Sequence, residues 1–146
     1  MTGDADGRGG PSPHNDAILR RVGGYSPYED VVGFSRALVV DSTRPRVLVA
    51  GATSVIAGEV RHPDDAYAQM LQALRTAESA LAEAGTDLAH VVRTRMYVVG
   101  AEHCDDAGRA HHEIFADIRP VATMVVVAGL IHPDMVAEIE VEAVLP

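Results

Sequence analysis

Residues 119–146 read RPVATMVVVAGLIHPDMVAEIEVEAVLP, and this stretch decides the fold. Residues 121–128 are a continuous apolar run, the composition of a buried strand. Residues 137–145 alternate instead. Ile139, Val141 and Ala143 point one way, and Glu138, Glu140 and Glu142 point the other. Pro133 and Asp134 supply the turn between the two segments.

Upstream, residues 91–99 (VVRTRMYVV) read as a further strand. A helix over residues 105–117 turns Ala107, Ala110, Ile114 and Ile118 inward, with Arg109, His112 and Glu113 on another face. A clearer helix precedes that strand. Pro63-Asp64-Asp65 caps it, Met70, Leu71, Leu74, Ala77 and Leu81 form its apolar stripe, and Gln69, Gln72, Arg75 and Glu83 lie off the stripe. Gly85 ends it in the position favoured for a left-handed cap. Residues 52–63 read as a loop. Residues 38–40 and 47–50 are short apolar strands, and the turn composition of 41–45 predicts a hairpin between them. The first fifteen residues are rich in Gly, Asp and Pro without apolar periodicity. Residues 1–17 are therefore expected to be a disordered tail and 18–146 a single domain.

Composition narrows the function. A net charge of -9 argues against nucleic acid as a general partner, because phosphate binding needs clustered cations. All twelve cations are arginines. Without lysine there is no Schiff-base lysine, no lysine-anchored pyridoxal cofactor and no phosphate-loop lysine. A single cysteine, Cys104, points to a reducing compartment. No apolar run is long enough to span a membrane, and the N-terminus lacks the hydrophobic region of a signal peptide. A cytoplasmic protein is expected.

The Arg-Pro pair opening a buried strand, the turn at Pro133 and the closing Ile-Glu-Val-Glu-Ala resemble the C-terminal signature of the Rid family (YjgF/YER057c/UK114). Ser26-Pro27-Tyr28-Glu29 followed by Val32-Gly33-Phe34-Ser35-Arg36-Ala37 resembles the approach to that family's first strand. The resemblance implies an α+β, chorismate-mutase-like fold in the order β-β-α-β-α-β-β, with a mixed sheet and two helices packed on one face. It also implies a homotrimer with clefts between subunits and hydrolysis of imines or enamines. The sheet's second face is expected to be too apolar to stay in water, which agrees with such an assembly.

The same resemblance nominates site residues. Glu140 falls where the family's deaminases keep a glutamate that handles the attacking water. Pattern alone also allows it to be one of three carboxylates on a solvated strand face. Ala122 stands where those members carry a substrate-binding arginine, Met124 where many have cysteine, and Val126 where many relatives have glutamate. The greasier surface that results implies a substrate without a carboxylate at that point, or simply packed core. An apolar flank of Met124 and Val126 is expected to raise the Glu140 carboxyl pKa. Gly51 matches a glycine whose backbone meets ligand, Phe34 or Ser35 falls near a cleft tyrosine, and Tyr28 is a possible substitute for it. Arg109 either replaces the missing anchor or pairs with Asp105 or Asp106 at helical spacing.

Other polar residues carry blander readings. Arg93 and Arg95 share a strand face with Tyr97, as on a solvated or ion-paired surface. His111-His112-Glu113 lacks the spacing of a zinc helix, because adjacent helical residues point about 100° apart. The resemblance implies a structural role for His111. Asp105 and Asp106 beside Cys104 disfavour a reactive thiolate. No metal or cofactor is expected. The reading is an enzyme acting on a small imine, enamine or related unsaturated carbonyl compound, or else a non-catalytic trimer that binds a hydrophobic metabolite. An endoribonuclease activity fits the acidic charge poorly.

Overall fold

The computed structural model describes residues 15–146. In chain order its elements are β1 (Ile18–Val22), α1 (Tyr28–Val32), β2 (Ala37–Val40), β3 (Arg46–Ala52), β4 (Val55–Ile56), β5 (Glu59–Val60), α2 (Ala66–Glu83), β6 (Val91–Val99), α3 (Cys104–Phe115), β7 (Val121–Val127) and β8 (Ala137–Val144). The main sheet runs β3-β8-β6-β7. Only β6 and β7 are parallel, and α3 makes the crossover that such a pair needs. The two C-terminal strands are therefore not neighbours, because β8 inserts between β3 and β6.

This placement follows from the strand patterns. β8 alternates fully buried Ala137, Ile139, Val141 and Ala143 with partly exposed glutamates, as a central strand with one covered face must. Under that face lie Met70, Leu74, Ala77 and Leu81 of α2 and Ala107, Ala110 and Phe115 of α3, with Met96 and Val98 of β6. Each fully buried Leu, Ile, Met or Phe contributes about 1.5–3 kcal/mol. The two long helices thus pack on one face of a mixed sheet, as expected.

The other face is not the apolar surface expected. Arg93 stands opposite Glu142, Arg95 opposite Glu140 and Tyr97 opposite Glu138. Arg46 lies 3.0 Å and Arg93 3.6 Å from the Glu142 carboxylate, and Arg95 lies 3.6 Å from that of Glu140. The strand alternation that hides Ile139 and Val141 forces these charges to the opposite side, where they pair. Leu48 and Val125 stay exposed.

The N-terminal half departs further from expectation. β2 does not form a hairpin with β3. It pairs with β1, while β3 joins β8. The β1–β2 ribbon buries Ala17 and Val144 beside Val92, so apolar burial favours this pairing over the sequence-local one. Ala17, expected at the end of the tail, is thus part of a small core, and residues 1–14 of that tail lie outside the described residues. The segment read as a loop over 52–63 contains the ribbon β4–β5, turned by Ala57 and Gly58, both with positive φ.

α2 behaves as its ends predict. Asp65 accepts the Ala68 N–H, and Gly85, at φ 93°, lets Thr86 N–H reach back to the Leu81 carbonyl. Gln69, placed off the stripe by pattern, is completely buried. Its amide donates to the carbonyls of His62 and Asp134 and accepts from the N–H groups of Val136 and Ala137. A buried amide with every bond made joins α2 to the start of β8.

Candidate functional site

A recess of about 660 Å³ opens between α1, α3 and the face of β6 and β7. Tyr28, Val31, Val32 and Phe34 wall it on one side, and Met96, Ala122 and Met124 form its floor. Cys104, Asp105, Gly108, Arg109 and His112 line it from α3. Glycine inside a helix costs about 1 kcal/mol against alanine. Here a side chain at Gly108 would come within 3.3 Å of the Val32 side chain, so its absence is what lets α1 approach.

Two buried polar residues hold α1 in place. Glu29 is 2 % exposed, and its carboxylate accepts the N–H groups of Gly24, Tyr25 and Ser26 at 3.1, 2.9 and 2.7 Å. Three charge-assisted bonds offset the cost of burying that charge. His111 is fully buried between α1 and β6, and its ring packs tilted against that of Phe115, with centres 4.6 Å apart. Its Nδ1 lies 2.7 Å from the Val32 carbonyl, which can only accept, so Nδ1 carries the proton. Nε2 then accepts from the Thr94 hydroxyl at 2.8 Å. Burial pushes the His111 pKa down to about 4, against a smaller opposing effect of the Val32 bond. It is a neutral structural strut.

Phe34, Arg109, Ala122 and Met124, nominated as substrate contacts, meet in this recess. Gly51, Val126 and Glu140 do not. Met96 pairs with both Met124 and Ile139, which puts Met124 on the covered face and Glu140, one residue further, on the opposite one. The apolar flank expected for Glu140 is therefore absent within one chain. Its carboxylate instead accepts the Tyr97 hydroxyl at 2.7 Å and lies 3.6 Å from Arg95. That hydrogen bond is the main reason the Tyr97 hydroxyl is held above its usual pKa. Val126 is half-exposed on β7, the edge strand of the main sheet. Gly51 sits in β3, and a side chain there would collide with the Glu138 carboxylate. Glu138 is raised above the usual carboxylate range by burial first and the Glu140 charge second.

At the rim, Arg109 pairs with Asp106 at 3.4 Å, and its guanidinium carbon stands 3.9 Å from the centre of the Tyr67 ring. The Tyr67 hydroxyl donates to Glu113. Ser35 is buried and donates to the Arg119 carbonyl at 2.6 Å, so it ties β2 to β7 and does not line the recess. His112 is exposed while its neighbour His111 is interior, as their angular separation requires. Among the described residues no three His, Cys, Asp or Glu side chains converge in a metal-binding group. A second groove of about 630 Å³ gathers Arg36, Arg44, Arg46, Arg93 and Arg95. Glu29, Asp16, Asp41, Glu142 and Glu140 pair with these arginines.

Sequence reading missed Tyr67, Glu29, Thr94 and Gly108. Only Gly108 left a signal, as a glycine inside an otherwise regular helical pattern. Tyr67 and Thr94 act through contacts distant in sequence, and Glu29 acts on the backbone three to five residues before it.

Comparison with known proteins agrees with this architecture. Residues 27–145 match the family described as Endoribonuclease L-PSP. An uncharacterised protein of Streptomyces coelicolor, SCO2049, is 39% identical over 125 residues, 86% of this chain and 91% of its own. The crystal structure of Rv2704 from Mycobacterium tuberculosis, described as a member of the YjgF/YER057c/UK114 family, is 41% identical with a TM-score of 0.62. The comparison covers 86% of this chain and 98% of that one. YyfB from Yersinia pestis, described as a Rid-family protein of unknown function, is 30% identical with a TM-score of 0.74 over the same shares of the two chains. On the strength of these matches and of the fold they share, the chain belongs to the Endoribonuclease L-PSP family, the YjgF/YER057c/UK114 or Rid proteins.

Proposed function

We propose that this protein is a small-molecule enzyme that hydrolyses or isomerises an imine, enamine or related unsaturated carbonyl compound, in a cleft completed by a second subunit of a homotrimer. One observation carries the reading. The recess holding Phe34, Ala122 and Met124 is apolar and open, and no β8 carboxylate reaches it within the chain. Asp105 and His112 line only its α3 rim, so an acid-base group facing the apolar floor would have to come from elsewhere. Glu140, on the uncovered face of the sheet, is the group a neighbouring copy would bring. Exposed Tyr28 and Val31 at the recess, with Leu48, Val125 and Val126 elsewhere, offer apolar area for that contact.

In the proposed hydrolysis, Glu140 takes a proton from water as the oxygen attacks the C=N carbon and passes it to the nitrogen, giving a carbinolamine. It then takes the hydroxyl proton as C=O forms and passes it to the nitrogen as the C–N bond breaks, releasing the amine. Backbone N–H groups near Gly51 and Val126, which lie on opposite edge strands of one sheet and so would come from different subunits, are assigned to the developing negative charge. Proton transfers suffice, so the proposal includes no metal or organic cofactor. The small apolar recess and the charge of -9 favour a small molecule over a nucleic acid. Among the described residues no helix is long and apolar enough to cross a membrane. The single, free Cys104 suits a reducing compartment, and we place the protein in the cytoplasm.

A second reading, a trimer that binds a hydrophobic metabolite without turnover, is favoured by one feature. Glu140 already has a hydroxyl and a guanidinium as partners. Screening imines generated in solution by condensing amines with aldehydes or ketones, or by enzymatic oxidation of amino acids with oxygen, identifies a substrate, and Glu140→Gln then separates the readings. The variant should keep its assembly and lose turnover by about 10²-fold or more. Glu142→Gln, whose carboxylate pairs with Arg46 and Arg93, is the control. Undiminished turnover by Glu140→Gln removes the catalytic assignment.

A further inference from the structure

The recess is apolar on every side but its α3 rim. Val31, Val32, Phe34, Met96, Ala122 and Met124 carry no charge, and Arg109 is the sole guanidinium among the lining residues. That guanidinium is held in place. It lies 3.9 Å from the centre of the Tyr67 ring, and the ring is itself anchored by the bond from its hydroxyl to Glu113. Stacking occupies a face of the guanidinium, whereas its N–H donors lie in its plane and stay available. The Asp106 bond, at 3.4 Å between two exposed side chains, is long and single. Contacts of that kind contribute little and exchange readily. Asp105 lines the same recess, Asp106 bonds the guanidinium and Glu113 holds the hydroxyl of the ring beneath it, so a second negative charge would be repelled.

Resting on the reading of this recess as the substrate site, we infer that Arg109, positioned by Tyr67, sets its specificity: the ligand is an apolar molecule with a single carboxylate or similar monoanionic group, gripped by Arg109 while its body lies against Met96, Ala122 and Met124. A planar donor fork suits a carboxylate edge-on, and holding it on an aromatic ring reduces the freedom lost on binding. Polyanions are disfavoured by the surrounding carboxylates. Cations must lie against Arg109 to fill the apolar floor.

Calorimetric titration of the full chain with octanoate, octanamide and octylamine tests this. Octanoate should bind about 10-fold or more tightly than octanamide, with octylamine weakest. Arg109→Ala should bring octanoate down to octanamide without weakening octanamide, and Arg109→Lys should restore part of the preference. Tyr67→Leu leaves the charge in place and should still cut the preference about threefold or more, an effect a merely structural role would not confine to the anion. Tightest binding of octanamide or octylamine, or a preference that survives Arg109→Ala, overturns the inference. A preference untouched by Tyr67→Leu overturns the positioning role. Met124→Trp, which fills the recess, should weaken all three probes. Should it weaken none, or should wild type bind none, the recess reading itself has failed; should it weaken all while Arg109→Ala changes nothing, only the present inference has.

Discussion

His111 should make the stability of this protein depend on pH in a narrow and calculable window. The imidazole is fully buried and neutral, with its donor on the Val32 carbonyl and its acceptor on the Thr94 hydroxyl. Its folded-state pKa is depressed, to about 4, against about 6.5 in an unfolded chain. The stabilisation is therefore fully present above about pH 6.5 and is lost as pH falls toward 4, since only the unfolded chain takes up the proton in that range. Linkage across those values removes about 2 kcal/mol by about pH 5 and about 3 kcal/mol by about pH 4. Urea unfolding followed by circular dichroism at several pH values measures it. Other groups titrate too, so the quantity to take is wild type minus His111→Gln, which cancels their shared contribution. The difference should be constant above neutrality and shrink as pH falls, because the variant has no proton to gain. Thr94→Val should cost about 1–3 kcal/mol at neutral pH by stranding the Nε2 acceptor. A difference that stays flat between about pH 7 and pH 5 would refute the neutral-strut assignment and the tautomer with it.

Three further outcomes are expected. Light scattering at micromolar concentration should give the mass of three chains, and a mass near one 15.5 kDa chain would remove the trimer and the shared cleft. Glu29→Ala should lower stability by about 2–4 kcal/mol, because three backbone N–H groups lose a charged acceptor, while Glu29→Gln should cost less; equal urea midpoints for Glu29→Ala and wild type would contradict the anchoring role. Imines derived from 2-aminoacrylate should turn over roughly 10–100-fold more slowly than with an arginine-bearing relative, since Ala122 offers no charged donor. Ala122→Arg should recover part of that rate, and ordinary rates in the unaltered protein, lost in Arg109→Ala, would show that the Arg109 grip orients these acids as well as an arginine at position 122 does.

β1, α1 and the β4–β5 ribbon were not readable locally, whereas the identities of β2, β3, α2, β6, α3, β7 and β8, the caps of α2 and the covered face of β8 were. Each rests on period, on a capping carboxylate or on a glycine at positive φ, and these act over a few residues. The presence of Phe34, Ala122, Met124 and Arg109 in one place was anticipated only through resemblance to a family, yet they do meet. Tertiary structure decided what periodicity does not encode. Strand alternation marks Glu140 and Met124 as facing different ways only once register is known, and register depends on β8 lying between β3 and β6. The partner of β2 was likewise set by burial of Ala17 and Val144, not by the turn chemistry of residues 41–45. Arg109 needed Tyr67, and His111 needed Thr94 and Val32, from elements distant in the chain. A single sequence lists such residues but carries no term for which of them touch, because that is settled by packing two helices on one face of one sheet.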